Sequence, residues 1–295
     1  MRKRLLVGVV FGIVLLSLVV AAVFGAPGRV ASSEAVGIVR IEGVIVGGEG
    51  GDFMGTTLGA EDVAAHLRRA AEDPSIRAVV LRLNSPGGSA AAAQEIGQEV
   101  DRLRQAGKKV VASMGDTAVS GAYWIAAKAD RIVANPATIT GSIGVIIQTQ
   151  HLVGLYEKLG IDTETVKSGP HKDMGSPARP LTPEERRIFQ GMVDDIYDQF
   201  VAVVAAGRKM EESRVRQLAD GRVFTGSQAK ELGLVDEMGD LQDAVRLAGH
   251  LAGIRGEPRV VELGPRAIWR SLFGGLNGAY GTHAWLLLWP PVGQF

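Results

Sequence analysis

The chain has 295 residues, of which 46% are hydrophobic and 22% are charged, so it is long enough to bury a substantial core. Its 32 basic residues balance 32 acidic ones, and without a large electrostatic field nucleic acid is not an expected partner. Since there is no cysteine, disulfide bonds, thiolate nucleophiles and cysteine-based metal sites are excluded.

The N-terminus predicts a membrane anchor. Three basic residues precede an uncharged run over residues 5–24, which as a helix spans about 30 Å, enough to cross a bilayer once. A cleaved signal peptide is the alternative, but the apolar core of such peptides is usually only about 7–15 residues long. By the positive-inside rule, the chain after the anchor lies outside the cytoplasm. We therefore assign residues 1–27 to a cytoplasmic tip and transmembrane helix, residues 28–35 to a linker, and the protein to the cell membrane.

Strands and helices alternate through the middle of the chain. The nearly continuous apolar run at 76–83 is typical of a buried parallel strand. Alternation of this kind indicates an α/β fold whose parallel sheet binds ligands beyond the carboxyl ends of its strands. Strands are predicted at 36–46, 76–83, 109–113, 131–134, 143–147 and 163–167, and helices at 59–71, from about 90 to 105, from near 120, and through 159.

The last third of the chain is predicted to be mainly helical. After a polar loop at 167–180, Thr182-Pro-Glu-Glu185 is a capping signature that begins a long helix with apolar residues at helical spacing. Further helices are expected around 211–219 and 240–252, and a strand at 259–263. We assign residues 36–264 to one folded domain and 265–295 to an apolar tail that is too interrupted for a second membrane span.

Ser120 is a candidate nucleophile, because it lies between a predicted strand and a predicted helix. Its hydroxyl could be exposed at a sharp turn there, although a serine at such a position is more often a plain N-cap. The turn at 85–89 ends the preceding buried strand with Gly87 and Gly88. Their backbone N–H groups could stabilise an oxyanion, and a simple strand-to-helix turn is the alternative.

A serine nucleophile also needs a base. Among five histidines, only His151 and His171 are in plausible reach, since the others lie in predicted helices or in the apolar tail. A lysine made neutral by burial can serve instead, because burial lowers its pKa, to about 7–8 in catalytic cases. Lys172 lies in the polar loop after a predicted strand, where a solvated lysine is the simpler interpretation.

Over residues 36–245 the chain closely resembles bacterial signal peptide peptidase A, a family of membrane-bound Ser/Lys peptidases. Four stretches match in order and spacing: LRLNSPGGS, DTAVSGAYWIAAKADRIVANPATITGSIGV, KSGPHKDMGSPARPLTPEE and GRVFTGSQAKELGLVDEMG. The resemblance implies a Clp/crotonase-like α/β fold of repeated β-β-α/β-α units. It implies Ser120 as nucleophile and Lys172 as general base, with Gly87 and Gly121 as backbone oxyanion donors and Ser142 as the residue that orients the lysine.

The resemblance also carries expectations about assembly and substrate. The family often has Gly-Gly after the nucleophile, whereas this chain has Gly121-Ala122. One lysine and one serine motif mark the half-length form, whose subunits form a ring, commonly an octamer, with active sites near subunit boundaries. The family implies signal-peptide remnants as substrates and no metal or organic cofactor. Its mechanism requires Lys172 to be buried, uncharged and within hydrogen-bond reach of Ser120.

Three other functions remain open at this point. One is a Clp-type Ser-His-Asp peptidase that uses His151 or His171 as its base. Another is a crotonase-type acyl-CoA enzyme, which also uses a Pro-Gly-Gly oxyanion turn. The third is a non-catalytic membrane scaffold of the same fold.

Overall fold

A computed structural model describes residues 34–50 and 57–264 of the chain. The predicted anchor at 5–24, nearly all of the linker at 28–35 and the apolar tail at 265–295 lie outside these residues. Among the residues described, no helix combines the length and the apolarity needed to cross a membrane.

The described residues form a mixed α/β domain. Its strands are β1 (Ala35–Glu42), β2 (Val44–Val46), β3 (Thr57–Gly59), β4 (Ile76–Ser85), β5 (Lys109–Val119), β6 (Arg131–Ala134), β7 (Ile139–Gly141), β8 (Val223–Thr225), β9 (Glu237–Met238) and β10 (Arg259–Glu262). Its helices are α1 (Ala60–Glu72), α2 (Ala90–Gln105), α3 (Gly121–Ala127), α4 (Val153–Leu159), α5 (Pro183–Arg208), α6 (Glu212–Leu218), α7 (Gly226–Glu231) and α8 (Leu241–Leu251).

The main sheet is largely parallel, as the sequence predicted. Its strands follow the order β10-β1-β4-β5-β6-β9, and neighbours along this path are parallel. The long strand β5 pairs first with β6 and then, over Thr117–Val119, with β7, which pairs antiparallel with β8. A separate parallel pair joins β2 and β3. Ser85 lies opposite Ala118, so β4 and β5 end side by side at one edge of the sheet.

The core lies on both faces of β4 and β5, which explains their continuous apolar sequence. Val79, Leu81 and Leu83 point to one face and pack with α1, α2 and α3. Ala78 and Val80 point to the other face and pack with α8. Burial on both faces fixes the register of these strands, and with it the position of the turns that follow them.

Two predicted strands are wrong. Residues 143–147 are mainly apolar and residues 163–167 contain three β-branched side chains, but neither segment forms a strand. The strand next to the first segment is β7, which ends at Gly141, and the positive φ of 49° at Ser142 turns the chain out of the sheet. Ile146 and Val166 are strongly exposed. Apolar composition therefore misled the prediction, because these side chains do not pack on the sheet.

Other predicted boundaries needed smaller corrections. The strand predicted at 36–46 is divided at Gly43, whose φ of 89° breaks it into β1 and β2. The strand predicted at 109–113 continues to Val119, which carries it to the edge where β4 ends. Helices α1, α2, α6 and α8 lie within one or two residues of their predicted bounds, and α5 begins where its capping signature predicted. The short helix α7 and strands β8 and β9 were not predicted.

Helix α5 begins with the predicted capping box. Thr182 Oγ1 accepts from the backbone N–H of Glu185 at 3.2 Å, and Glu185 Oε2 accepts from the N–H of Thr182 at 2.9 Å. The second half of the helix is buried through Phe200 and Val204, whereas Ile188 and Met192 in its first half are exposed. The C-terminal half of α5 therefore lies in the core, and its N-terminal half extends away from the core.

Candidate active site

Ser120 occupies a sharp turn between β5 and α3. Its backbone has φ 54° and ψ −123°, a conformation that costs a residue with a side chain on the order of 1–3 kcal/mol. Although it stands at the N-cap position of α3, its hydroxyl caps no backbone N–H. By contrast, Ser89 at the start of α2 accepts from Ala92 N at 3.3 Å, as an ordinary N-cap does. The cap interpretation of Ser120 is therefore wrong, and its hydroxyl is free to react.

The glycine turn after β4 packs directly against Ser120. A Cβ atom on Gly87 would lie 2.8 Å from both the Gly121 nitrogen and the Ser120 Cβ, and φ at Gly87 is 91°. A Cβ on Gly88 would lie 2.0 Å from the Ile45 carbonyl oxygen, which pairs with this turn. Glycine is thus required at both positions, because no side chain fits between the turn and its neighbours.

The available N–H groups beside Ser120 differ from the predicted pair. The Gly87 N–H donates to Ser85 Oγ at 3.0 Å, and both atoms are buried. Within the described part of the chain, the N–H groups of Gly88 and Gly121 have no hydrogen-bond partner, and both residues line the cavity around Ser120. The geometry therefore favours Gly88 together with Gly121 as oxyanion donors, because the N–H of Gly87 is already engaged.

A cavity of about 700 Å³ opens beside Ser120. One wall comes from the predicted strand at 143–147, which lines the cavity instead of joining the sheet. The floor comes from Trp124 on α3 and Phe200 on α5, whose ring centroids are 4.9 Å apart. The lining is mixed: its apolar and aromatic members include Pro86, Trp124, Val145, Ile146, Ile147, Ile196, Tyr197 and Phe200, and its polar members include Ser89, Ser120, Ser142 and Asp220.

Ser142 lines the same cavity as Ser120. It follows β7, has φ 49°, and its backbone N–H donates to the Arg222 carbonyl oxygen at 2.8 Å. Two serines, both held at positive φ by neighbouring strands, therefore share one cavity. The structure thus places Ser120, Gly121 and Ser142 around one cavity.

Lys172 does not join them within one chain. It is exposed, it is not among the described residues that line the cavity, and its turn is tied by ion pairs to the first turn of α5. Helix α5 reaches the cavity at Ile196, eleven residues after Glu185 and thus about 17 Å further along the helix. The expectation that Lys172 is buried beside Ser120 is therefore not met by a single chain.

The two histidines considered as bases do not line the cavity either. His151 is exposed, and His171 lies near Glu184 and Glu185, with its Nε2 3.8 Å from Glu184 Oε1. His66 lies in α1, where burial lowers its pKa. Among residues 34–50 and 57–264, no three histidine, aspartate or glutamate side chains are grouped so that they could hold a metal ion.

Sequence reasoning missed the cavity floor. Trp124 lies in the stretch that contains Ser120, and Phe200 is one of the apolar positions of the predicted long helix, but neither was predicted to line a site. The available signal was the spacing of Trp124, one helical turn after Ser120, which places its ring beside the nucleophile.

The chain is similar in sequence to known peptidases. A sequence model described as "Peptidase family S49" matches residues 102–255. A putative protease of Synechocystis sp. is 46% identical over 208 residues, covering 69% of this chain and 74% of that protein. A putative signal peptide peptidase SppA of Enterococcus faecium is 37% identical over 272 residues, covering 83% and 79%. Protease 4 of Haemophilus influenzae is 38% identical over 225 residues, which are 76% of this chain but 36% of that protein.

Proposed function

The chain belongs to peptidase family S49 and is a serine peptidase, and we propose that it is a membrane-anchored endopeptidase with a Ser/Lys dyad that degrades signal-peptide remnants. The observation that carries this proposal is the turn at Ser120. Its hydroxyl makes no capping hydrogen bond, the residue lines a cavity with an aromatic and aliphatic part, and it lies beside two free backbone N–H groups. A nucleophile, an oxyanion site and a substrate pocket are then adjacent.

In the proposed reaction, Ser120 Oγ attacks the carbonyl carbon of the scissile peptide bond while neutral Lys172 Nζ accepts the hydroxyl proton. The Gly88 and Gly121 N–H groups stabilise the negative oxygen of the tetrahedral intermediate. The resulting ammonium group then gives its proton to the leaving amine as the C–N bond breaks. Water attacks the acyl-enzyme in the same way, with Lys172 again as base, and releases the new carboxylate together with free Ser120.

We further propose that Lys172 serves Ser120 of a neighbouring copy. The exposure of Lys172 and its distance from the cavity along α5 support this arrangement. Entering another subunit's cavity would desolvate the lysine, and desolvation favours the neutral amine that a general base requires. Ser142, in the same cavity as Ser120, is positioned to hydrogen-bond the incoming amine.

The cavity lining supports an apolar substrate. Trp124, Phe200 and Ile147 surround the space next to Ser120, so an apolar side chain beside the cut would be buried there. One relative, from Enterococcus faecium, is named a putative signal peptide peptidase. That name supports apolar peptides as the proposed substrate class.

Location and assembly complete the proposal. Residues 5–24 are proposed to anchor the protein in the cell membrane, with the peptidase domain at 36–264 on the extracytoplasmic side and the apolar tail at 265–295 beyond it. The domain is proposed to have the Clp/crotonase-like fold and to assemble into an octameric ring. Cross-subunit sites fit a ring, because head-to-tail contacts repeat one interface around a closed assembly.

Mixing two inactive variants tests the shared site. We expect Ser120→Ala and Lys172→Ala each to lose activity, and the full-length variants, dissociated and reassembled together in equal amounts, to recover about a quarter of the wild-type peptidase activity. Only sites that pair an intact serine with an intact neighbouring lysine are active, and random assembly forms that pair in about one case of four. A mixture of Lys172→Ala with Lys172→Met is the matched control and should remain inactive.

The same variants separate the rival functions. Full activity of Lys172→Ala, together with an inactive His171→Ala or His151→Ala, would replace the Ser/Lys dyad by a Ser-His peptidase. No recovery in the mixture, while reassembled wild type is active, would contradict the cross-subunit arrangement. If Ser120 resists a serine-directed acylating probe, a crotonase-type acyl-CoA enzyme is favoured instead.

A further inference from the structure

Arg179 joins a carboxylate in the turn that carries Lys172 to a carboxylate in the first turn of α5. Its Nε and Nη2 donate to the two carboxylate oxygens of Asp173 at 2.8 and 2.7 Å. Its Nη1 and Nη2 donate to the two oxygens of Glu185 at 2.8 and 2.6 Å. Both contacts are therefore bidentate, which is the strongest and most directional form of an arginine–carboxylate pair. We call these three residues the Arg179 clamp.

The Arg179 clamp is more enclosed than a surface ion pair. The side chain of Glu185 is only 1% exposed and that of Asp173 is 13% exposed. Glu185 also holds the capping box of α5, and Lys167 Nζ donates to Asp173 Oδ1 at 2.7 Å. Isolated surface pairs contribute little, but a partly buried network with this geometry restricts the backbone it joins.

The restricted backbone is that of Lys172. No helix or strand includes residues 167–179, and their local backbone bonds are those of turns, such as Met174 N to His171 O at 3.1 Å. Asp173 follows Lys172 directly, so the Arg179 clamp connects the backbone on the C-terminal side of Lys172 to α5. Lys172 itself makes no ion pair with the described residues, which leaves its amine free to move into another site.

Helix α5 connects this fixed point to the nucleophile. Phe200, fifteen residues after Glu185, packs its ring on Trp124 in α3, the helix that begins immediately after Ser120. A rigid helix of this kind spans about 22 Å between the two contacts. Lys172 and Ser120 of one chain are therefore both connected to α5, at opposite ends of it, although in the proposed assembly they belong to different dyads.

We infer that Arg179 is a positioning residue for the general base: through Asp173 and Glu185 it sets where Lys172 is presented relative to α5. This inference rests on the proposed role of Lys172. Proton transfer depends on sub-ångström placement of the base, and a displacement of about 1 Å can cost on the order of 100-fold in rate. A base held on an irregular turn needs such support, because the turn has no regular hydrogen-bond ladder of its own.

The test compares Arg179→Gln with a matched control, Arg246→Gln, in the full-length protein. Arg246 also pairs with the N3 carboxylate of a capping box, Asp243 in α8, but on the other side of the sheet. For Arg179→Gln we expect kcat to fall about 10- to 100-fold with KM changed less than about twofold. Arg246→Gln should keep wild-type kcat and KM, and Arg179→Lys should fall between wild type and Arg179→Gln.

The pH profile distinguishes positioning from general destabilisation. The rising limb of kcat/KM reports the base of the free enzyme, and a base that is presented loosely spends less of its time in the desolvated site. We therefore expect this limb to move to higher pH in Arg179→Gln and in Asp173→Asn, whereas a loss of folded protein would lower the rate without moving the limb. The charged groups near this lysine are Lys167, His171, Asp173, Arg179, Glu184 and Glu185.

The outcomes separate this inference from the proposed function. If Lys172→Ala is fully active, the dyad itself is wrong. If Lys172→Ala is inactive but Arg179→Gln keeps wild-type kcat and an unmoved limb, the dyad stands and the positioning role is overturned. Should Arg179→Gln fail to fold, Arg179→Lys is the deciding variant. It keeps the positive charge but loses the two bidentate guanidinium contacts. A wild-type pH profile for Arg179→Lys would overturn the inference.

Discussion

The turn at Ser120 and the turn at Lys172 are held in place by different forces. All seven residues of α3 behind Ser120 are buried, and the strained backbone of Ser120 is held between β5, β7 and the glycine turn. Lys172 is exposed on an irregular segment held by ion pairs to α5. Packing therefore fixes the nucleophile within its own chain, whereas charge pairs fix the proposed base at the surface.

This difference fits the two chemical roles. A nucleophile and its oxyanion donors must be arranged within tenths of an ångström, and a close-packed core provides that precision. A base that enters another subunit must stay outside its own core, and a charged side chain cannot be buried before it reaches its partner without a large desolvation cost. The predictions below test the two halves of this comparison, beginning with the largest expected effect.

The single substitution Ser120→Gly should both abolish activity and stabilise the fold. Loss of the nucleophile should reduce kcat by at least about 10,000-fold. Glycine relieves the strain at φ 54°, and after its greater unfolded-state entropy is subtracted we expect a gain on the order of 1 kcal/mol in the free energy of unfolding. The measurement is denaturant unfolding of the full-length protein in detergent.

Ser89→Gly is the matched control for this prediction. Ser89 has φ −59° and caps α2 with its side chain, so glycine there should cost a few tenths of a kcal/mol. Equal stability changes at the two serines would mean that Ser120 carries no stored strain, and the proposed difference between the two turns would lose its energetic basis.

Gly87→Ala should reduce activity about 100- to 1,000-fold, the cost that is typical of a damaged oxyanion site. The added methyl group would press on the Gly121 nitrogen and the Ser120 Cβ, both at 2.8 Å. Gly107→Ala is the control, because Gly107 has a similar φ of 80° but nothing within 4 Å of the new Cβ. Steady-state kinetics of both variants would show whether crowding, rather than backbone strain, limits catalysis; similar losses in both would contradict this.

The sequence predicted those parts of the site that depend on local patterns. The buried strand β4, the helix α2 and the capping box at Thr182 and Glu185 follow from apolar period and capping chemistry alone. The position of Ser120 between β5 and α3 follows from the same alternation. The sequence did not predict that the Ser120 hydroxyl makes no capping hydrogen bond. A serine N-cap and a serine in a strained strand-to-helix turn have the same sequence pattern and differ only in their backbone angles.

The sequence did not predict features that depend on backbone angles and side-chain contacts. The N–H of Gly87 is unavailable because it donates to Ser85 Oγ. The segment at 143–147 has the composition of a strand, but the turn at Ser142 sends it along the cavity. The turn that exposes Lys172 is held by ion pairs among residues 167–185, and the proposed desolvation of Lys172 would need contacts with a second copy of the chain.

Ile147→Phe should narrow the cavity beside Ser120 and change specificity rather than chemistry. We expect kcat/KM for peptides with a bulky apolar side chain beside the cut to fall about tenfold relative to peptides with alanine there. Ile139→Phe is the control, because Ile139 is equally exposed, 39% against 38%, but does not line the cavity. A uniform loss for both peptide classes would place the substrate side chain elsewhere.

The smallest expected effect is on stability at acidic pH, and it concerns the Lys172 side of the comparison. Hydrogen bonds from Arg179 hold the pKa values of Asp173 and Glu185 below their ordinary range. Carboxylates with lowered pKa values stabilise the fold fully above their unfolded pKa, near 4, and this stabilisation is lost as pH falls through the lowered folded pKa. Arg179→Gln should therefore lower the thermal midpoint at pH 6 more than at pH 3.

Arg246→Gln again provides the matched comparison for that pH series. The pKa of Asp243 is also lowered, but chiefly by the backbone N–H of Asp240 and only secondarily by Arg246. Removing Arg246 should therefore leave most of the pH dependence of the thermal midpoint unchanged. If the two variants respond alike from pH 6 to pH 3, the ion pairs at the Lys172 turn are ordinary surface pairs, and the contrast with the packed turn at Ser120 would rest on exposure alone.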